Sequence, residues 1–168
     1  MQKLTAIHEG AHVVTAYLSK YHFITGQISL FSDTEGETFV TLSRKKIGNS
    51  NKQISEELFK DIEIVKDAAI VFYSGFESEK IYNDENGIEV EKEYSMNDYN
   101  NVNELIKNCL APQTIKTEEL ILESKMVVTE NWLAITKISA ALLEAPRNSL
   151  NAEDAIQILD AHYDRYSF

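Results

Sequence analysis

The segment that most constrains this chain is the pentapeptide His8-Glu9-Gly10-Ala11-His12. Residues four positions apart lie on the same face of an α-helix, so two imidazoles at this spacing can bind one metal ion. The motif lies within residues 4–18, which contain no proline and carry apolar residues at helical spacing. The segment therefore predicts a helix from Gln2 to about Lys20 that holds Glu9 beside both imidazoles.

The two histidines have two interpretations. In the first, they bind a zinc ion with a third protein ligand, one position stays open for water or substrate, and Glu9 acts as a general base. In the second, they are hydrogen-bonded core residues. The metzincin pattern is absent, because its third histidine would fall at Leu18. Many carboxylates remain candidates, as do His162 and His22. We interpret His22 as a surface residue, since it lies too close to the motif helix to fold back.

Composition limits the class of protein. The 168 residues are 43% hydrophobic, which suits one compact domain over residues 1–168. No run approaches the ~20 apolar residues of a membrane span, and the N-terminus lacks the apolar core of a signal peptide, so we expect a cytoplasmic protein. Cys109 is the only cysteine, which excludes an intrachain disulfide and a thiolate zinc cluster. Any metal must therefore be held by nitrogen and oxygen.

Charge argues against a nucleic-acid partner. The formal net charge is −11, and phosphates would be repelled unless basic residues were strongly segregated. The densest basic segment, Arg44-Lys45-Lys46, is interpreted as solvated turn residues. The acidic residues concentrate in 84–93, which we interpret as a solvated loop.

Periodicity along the chain predicts a mainly α, α+β fold. Two β-rich runs, 24–31 and 37–43, flank a turn at 32–36 and predict a hairpin directly after the motif helix. A loop is predicted at 48–51. A long helix should follow, with a stripe of apolar residues from Ile54 to Phe76 and an end near Gly75 or just beyond.

Three further helices are predicted in the second half of the chain. The first has Ser95 as its N-cap and stops at Pro112. The second runs from Lys116 to about Glu144, ends before Pro146, and carries a stripe formed by Leu122, Met126, Thr129, Leu133, Thr136, Ala140 and Leu143. The last covers residues 149–160 and is capped by Asn151.

The order of these blocks resembles the peptidase domain of FtsH-type, AAA-linked zinc metalloproteases. Residues 5–17 are similar to the HEAGH helix of that family, although Gly10 and Ala11 stand in reversed order. Residues 70–81 look like the helix that ends in GGRAAEE, and residues 95–105 resemble the GASNDLxxAT block. The resemblance implies an FtsH peptidase-like helical domain with a small β-hairpin or sheet after the zinc-binding helix.

The resemblance also implies roles for two carboxylates. Asp98 matches the aspartate that is the third zinc ligand of the family, so Zn²⁺ would be held by His8, His12 and Asp98. Glu79 matches a glutamate that orients a ligating imidazole. The alternatives are that Asp98 only caps its helix, where the dipole favours an acidic residue, and that Glu79 is an ordinary carboxylate at a helix end.

The expected function is that of a zinc-dependent endopeptidase of the HExxH type, with Glu9 as the catalytic base. Substrate would lie extended along an exposed hairpin edge, within 26–31 or 37–43. No G-x-x-x-x-G-K-[ST] phosphate loop occurs in the 168 residues, so we expect unfolded or peptide substrates, or a separate ATPase as partner. The family forms homo-oligomeric rings. The alternative is a catalytically inactive or regulatory interaction module that keeps the fold and the metal.

Overall fold

A computed structural model describes residues 2–87 and 95–164 of the chain. Within these ranges it has seven α-helices and a small antiparallel sheet of three strands, which confirms the predicted mainly α, α+β fold. In chain order the elements are α1 Gln2–Leu18, β1 His22–Leu30, β2 Gly36–Leu42, α2 Arg44–Asn49, α3 Ile62–Asn86, α4 Met96–Asn108, α5 Thr117–Glu130, α6 Trp132–Glu144, β3 Ser149–Asn151 and α7 Ala152–Asp164. Short 3₁₀ turns occupy Glu56–Lys60, Pro112–Thr114 and Pro146–Asn148.

Helix α1, which carries the histidine motif, is the central element of the core. Its residues 5–16 are all buried, and it packs against α3, α6 and β1. Gly10 allows the close approach of α6. A Cβ atom at this position would lie 2.6 Å from the Ser139 hydroxyl and 3.0 Å from the Ile135 carbonyl oxygen. The motif is therefore held on a helix that is packed on several sides.

The predicted hairpin is confirmed, and the sheet order is β2-β1-β3. Ile24 pairs with Val40 in β2, and the register shifts after Thr25, where Gly26 has a positive φ of 70°. Strand β3 was not predicted, because its three residues were assigned to the last helix. Leu150 of β3 pairs with Ile28 of β1, so this part of β1 has a strand on both sides. Within the described ranges, β2 has a neighbouring strand only on the β1 side.

The bounds predicted for the long helix are wrong at both ends. Helix α3 begins at Ile62, where the Asp61 side chain caps it by accepting from two backbone N–H groups, and Ile54 is exposed. The helix continues past Gly75 to Asn86. Part of the predicted acidic loop is therefore helical, and its residues 88–93 lie outside the described residues. The loop predicted at 48–51 is also partly helical, since α2 extends to Asn49.

The single helix predicted over 116–144 is two helices, α5 and α6, with a bend of 74° between them at Asn131. The predicted apolar stripe is wrong, because Leu122, Met126 and Leu133 are exposed. The buried positions in these helices are Leu120, Ser124, Val128, Ala134, Ile135, Ile138, Ser139 and Leu142. The predicted stripe assumed one continuous helix, and the bend between α5 and α6 places its two halves on different faces. No single described helix is long and apolar enough to cross a membrane, although the bent pair together meets the length and composition criteria.

Predictions for the remaining helix ends are confirmed in part, since the helix predicted at 149–160 runs from Ala152 to Asp164. Helix α4 starts after Ser95, but the Ser95 side chain makes no capping hydrogen bond, and the helix ends at Asn108, before Pro112. Asn151 caps α7, as predicted, since its side-chain oxygen accepts from the Asp154 backbone N–H at 2.8 Å.

Lys46 corrects the interpretation of the basic segment as solvated turn residues. Its ammonium, which has three N–H donors, lies 2.7–3.1 Å from four carbonyl oxygens, those of Ala16, Tyr17, Ser19 and His22. Burial lowers the pKa of Lys46 to about 8. Two of these acceptors, Ala16 and Tyr17, lie in the last turn of α1, where carbonyl groups lack a partner within the helix.

We predict that Gly10→Ala and Gly48→Ala have opposite effects on stability. The added methyl at Gly10 clashes with α6 and should lower the free energy of unfolding by about 1–3 kcal/mol. Gly48 lies in α2 with nothing within 4 Å of a Cβ atom, so its replacement should stabilise the helix by up to about 1 kcal/mol. Urea unfolding of both variants measures the difference, and equal stabilities would contradict the α1–α6 packing.

Candidate metal centre

Three side-chain atoms from α1 and α4 converge at one end of a cleft. His8 Nε2 lies 2.9 Å from His12 Nε2 and 3.0 Å from Asp98 Oδ2, and His12 Nε2 lies 3.4 Å from the same oxygen. In a tetrahedral zinc site with bonds of about 2.0–2.1 Å, neighbouring ligand atoms are about 3.3 Å apart. The triangle therefore has the size of one face of such a site, and these three residues could hold a metal ion.

Hydrogen bonds on the far side of each ring set the tautomers. His12 Nδ1 donates to the carbonyl oxygen of Val71 at 2.9 Å, and His8 Nδ1 lies 2.7 Å from Glu79 Oε1. A carbonyl and a carboxylate can only accept, so each Nδ1 carries a proton, and in the neutral form of each ring the lone pair of Nε2 faces Asp98. Three electron-pair donors at these distances require a cation or additional protons between them. The donor set thus fits a divalent metal.

The charge balance of the site points the same way. Burial disfavours protonated imidazoles, yet hydrogen bonds to Asp98 and Glu79 raise the pKa of His8 well above its usual value. The pKa of His12 is also raised, because the charge of Asp98 outweighs burial. Burial would raise the pKa of Asp98, but the two imidazoles hold the pKa of this carboxyl well below its usual range. Two carboxylates around two rings thus stabilise positive charge, which a metal ion would supply while releasing protons.

Helix α3 forms the wall behind the imidazoles. Val71, Gly75 and Glu79 follow one another at intervals of four residues, so they lie on one face of the helix. A Cβ atom on Gly75 would lie 2.5 Å from His8 Nε2, so the absence of a side chain leaves room for the ring. The structure places Glu79 where the sequence resemblance implied, buried against His8. The roles of Val71 and Gly75 were not predicted, because a backbone carbonyl and a missing side chain carry no recognisable motif.

Strand β2 positions Glu9, the remaining residue of the motif. Thr38 Oγ1 donates a hydrogen bond of 2.6 Å to Glu9 Oε2. A Cβ atom on Gly36 would lie 2.6 Å from Glu9 Oε1, so only glycine leaves space for the carboxylate at this position. Glu9 is 4% exposed, and its charge contributes to the raised pKa of both His8 and His12. The motif glutamate is thus a buried carboxylate fixed beside the three donors.

The cleft that contains these groups has a volume of about 720 Å³. Its walls come from α1, the hairpin turn, β2, α3 and the start of α4. Acidic residues predominate among those that line it, namely Glu9, Asp33, Glu35, Glu37, Glu79 and Asp98, and Lys3 is the one basic residue among the described lining residues. Field lines of one sign are focused in such a cleft, which favours the entry of cations.

The other two histidines do not line this cleft in the described part of the chain. His22 is buried, which contradicts its interpretation as a surface residue, and its Nδ1 lies 2.6 Å from Asp67 Oδ2. Asp67 also accepts from the Ser19 hydroxyl, so this cluster holds the turn that follows α1. His162 is buried on α7, with its Nδ1 3.0 Å from the Lys137 ammonium.

Comparison with known protein families finds no family model that matches this chain, and comparison with curated proteins also finds no match. The resemblance to FtsH-type peptidases therefore remains a prediction that rests on the sequence blocks. The geometry by itself defines a site with two imidazoles and one carboxylate. Such a donor set suits zinc, and it also suits iron(II).

We predict that Glu79→Gln weakens zinc binding by about 10–100-fold, because an amide oxygen can still accept from His8 Nδ1 but lacks the negative charge that raises the basicity of the ring. Glu77→Gln is the matched control. Glu77 is equally buried on the same helix, but it pairs with Lys80 and lies outside the cleft lining. Competition with a chromophoric chelator at fixed pH measures both affinities. Equal affinities for the two variants would show that Glu79 does not support the ligand.

Proposed function

We propose that this protein is a zinc-dependent metallopeptidase that hydrolyses peptide bonds in peptides or unfolded protein segments. The observation that carries the proposal is the position of Glu9, a buried carboxylate held by Thr38 beside three convergent metal-binding atoms without being one of them. Hydrolysis requires a base that takes a proton from water, and a carboxylate in this position suits that task. This requirement favours zinc over iron(II).

Each residue of the site has a separate role in the proposed reaction. When bound, a zinc ion makes a neighbouring water acidic and polarises a substrate carbonyl. Glu9 would accept a proton from that water and later pass it to the leaving amine. Thr38 keeps one oxygen of Glu9 hydrogen-bonded, which orients the other oxygen in the cleft. Glu79 and the Val71 carbonyl hold both imidazoles in the tautomer that exposes Nε2.

The sheet topology favours one of the two hairpin edges as the position of the proposed substrate. Strand β1 pairs with β2 on one side and with β3 at residues 27–29 on the other, so this part of β1 has no open edge. Strand β2 supplies Gly36, Glu37, Thr38 and Val40 to the wall of the cleft. We therefore place an extended peptide along β2, where backbone groups could pair with it as an added strand.

We predict that Glu9→Gln retains zinc but loses peptide hydrolysis by at least about 100-fold, because the amide cannot accept the proton. Metal content is measured by mass spectrometry after purification without chelators, and activity is measured on a reduced, unfolded protein. The expected result is one zinc per chain in both forms and cleavage by the wild type alone.

Other outcomes of this comparison reject defined parts of the proposal. A zinc-loaded wild type as inert as Glu9→Gln would reject the peptidase and leave a metal-containing interaction module. Purification with iron that zinc does not displace would reject zinc as the resident metal. If no metal is bound and none is taken up on titration, both metal-dependent functions are wrong.

We predict that Thr38→Val lowers kcat by about 10–100-fold with unchanged zinc content, since a hydrogen bond to a charged group contributes about 1.5–3 kcal/mol. Thr41→Val is the matched control, because Thr41 is an exposed residue of β2 outside the cleft lining. Steady-state kinetics on one fluorogenic peptide give both values. A similar kcat for the two variants would remove Thr38 from the mechanism.

A further inference from the structure

A second cavity of about 610 Å³ adjoins the metal cleft between the 3₁₀ turn Glu56–Lys60, α3 and α4. Its apolar lining residues are Phe59, Phe72 and Leu105, and apolar atoms form most of its wall. We call it the apolar recess. Phe72 and Asn101 line both this recess and the metal cleft, so the two cavities are contiguous.

Within the described part of the chain, no side chain covers Phe59 in the recess. Its side chain is 64% exposed, although an aromatic ring of this size gains more from burial than most side chains. Concave apolar surfaces next to a polar site are typical of ligand pockets. A ligand that covers Phe59 and Leu105 would remove this apolar surface from water.

The distance from the recess to the metal-binding atoms is short. The Phe72 ring lies against the His12 imidazole, with ring centroids 6.4 Å apart and planes at 71°. An extended peptide advances about 3.3 Å per residue and turns successive side chains to opposite faces. A peptide carbonyl placed at the metal centre would therefore have a side chain within one or two residues that can reach the far side of Phe72.

We propose that the apolar recess binds a large apolar side chain of the peptide substrate, one or two residues from the scissile bond, and that Phe59 and Leu105 determine this preference. The inference rests on the proposed peptidase function and adds its substrate class. Glu56 and Glu104 on the rim outnumber Lys60, so an acidic side chain is disfavoured at the same position.

Binding of labelled peptides to the zinc-loaded Glu9→Gln protein tests the recess without turnover. In each alanine-rich peptide a single phenylalanine occupies a different position, and fluorescence anisotropy gives the affinity. We expect one position at which phenylalanine binds about 10–100-fold more tightly than alanine. Leu105→Asp and Phe59→Ala, each added to Glu9→Gln, should abolish that difference. Leu122→Asp is the control, since Leu122 is an equally apolar, 59% exposed residue of α5 outside the recess.

The outcomes separate this inference from the proposed function. Wild-type cleavage of an unfolded protein with no enrichment of large apolar residues near the cut sites would reject the role of the recess in substrate preference. The proposed peptidase function would then stand. Selective peptide binding by a protein whose wild type is inert would retain the recess and reject hydrolysis. Equal binding of all peptides, undetectable binding, or a preference that survives Leu105→Asp would overturn the inference.

Discussion

The packing of α1 against α3 is the contact on which the candidate site depends. Each buried imidazole needs a partner for its Nδ1 proton, and α3 supplies both partners, the Val71 carbonyl and the Glu79 carboxylate. The helices can approach this closely only because Gly75 has no side chain to displace the His8 ring. Since both helices are rigid elements with buried faces, the two Nε2 atoms are held in place before any ligand binds.

The arrangement is costly unless it serves a cation. Buried ionisable groups of like and opposite charge are expensive to remove from water, and apolar residues of similar volume usually give equal or greater stability. Here Glu9, Glu79 and Asp98 surround two imidazoles in a cleft whose mouth is also acidic. Protons on the rings offset part of this charge, and a divalent ion offsets more of it with fixed geometry. A role limited to core packing would not require three carboxylates.

Sequence patterns predicted the parts of this structure that local chemistry determines. The motif helix, the hairpin and the Asn151 cap follow from spacing and turn residues, whereas the convergence of Asp98 with both histidines was expected only from the resemblance of the blocks. The errors arose where tertiary contacts override local preference. Gly75 predicts a helix end, because glycine inside a helix costs roughly 1 kcal/mol. In the structure, the close packing of Gly75 against the His8 ring of α1 offsets this cost. The break at Asn131 contains neither proline nor glycine, so the apolar stripe was counted through it.

Helix α4 links the candidate metal centre to the apolar recess. Asp98, Asn101 and Leu105 are spaced three and four residues apart, so one face of the helix carries the carboxylate of the candidate metal centre, the boundary between the two cavities, and a wall of the recess. In the proposed peptidase, a substrate side chain seated against Leu105 would therefore contact the same helix that positions Asp98. In the proposed peptidase, β2 would pair with the peptide backbone while α4 holds Asp98, so substrate alignment and the geometry of the metal donors would both depend on the separation of α4 from the hairpin.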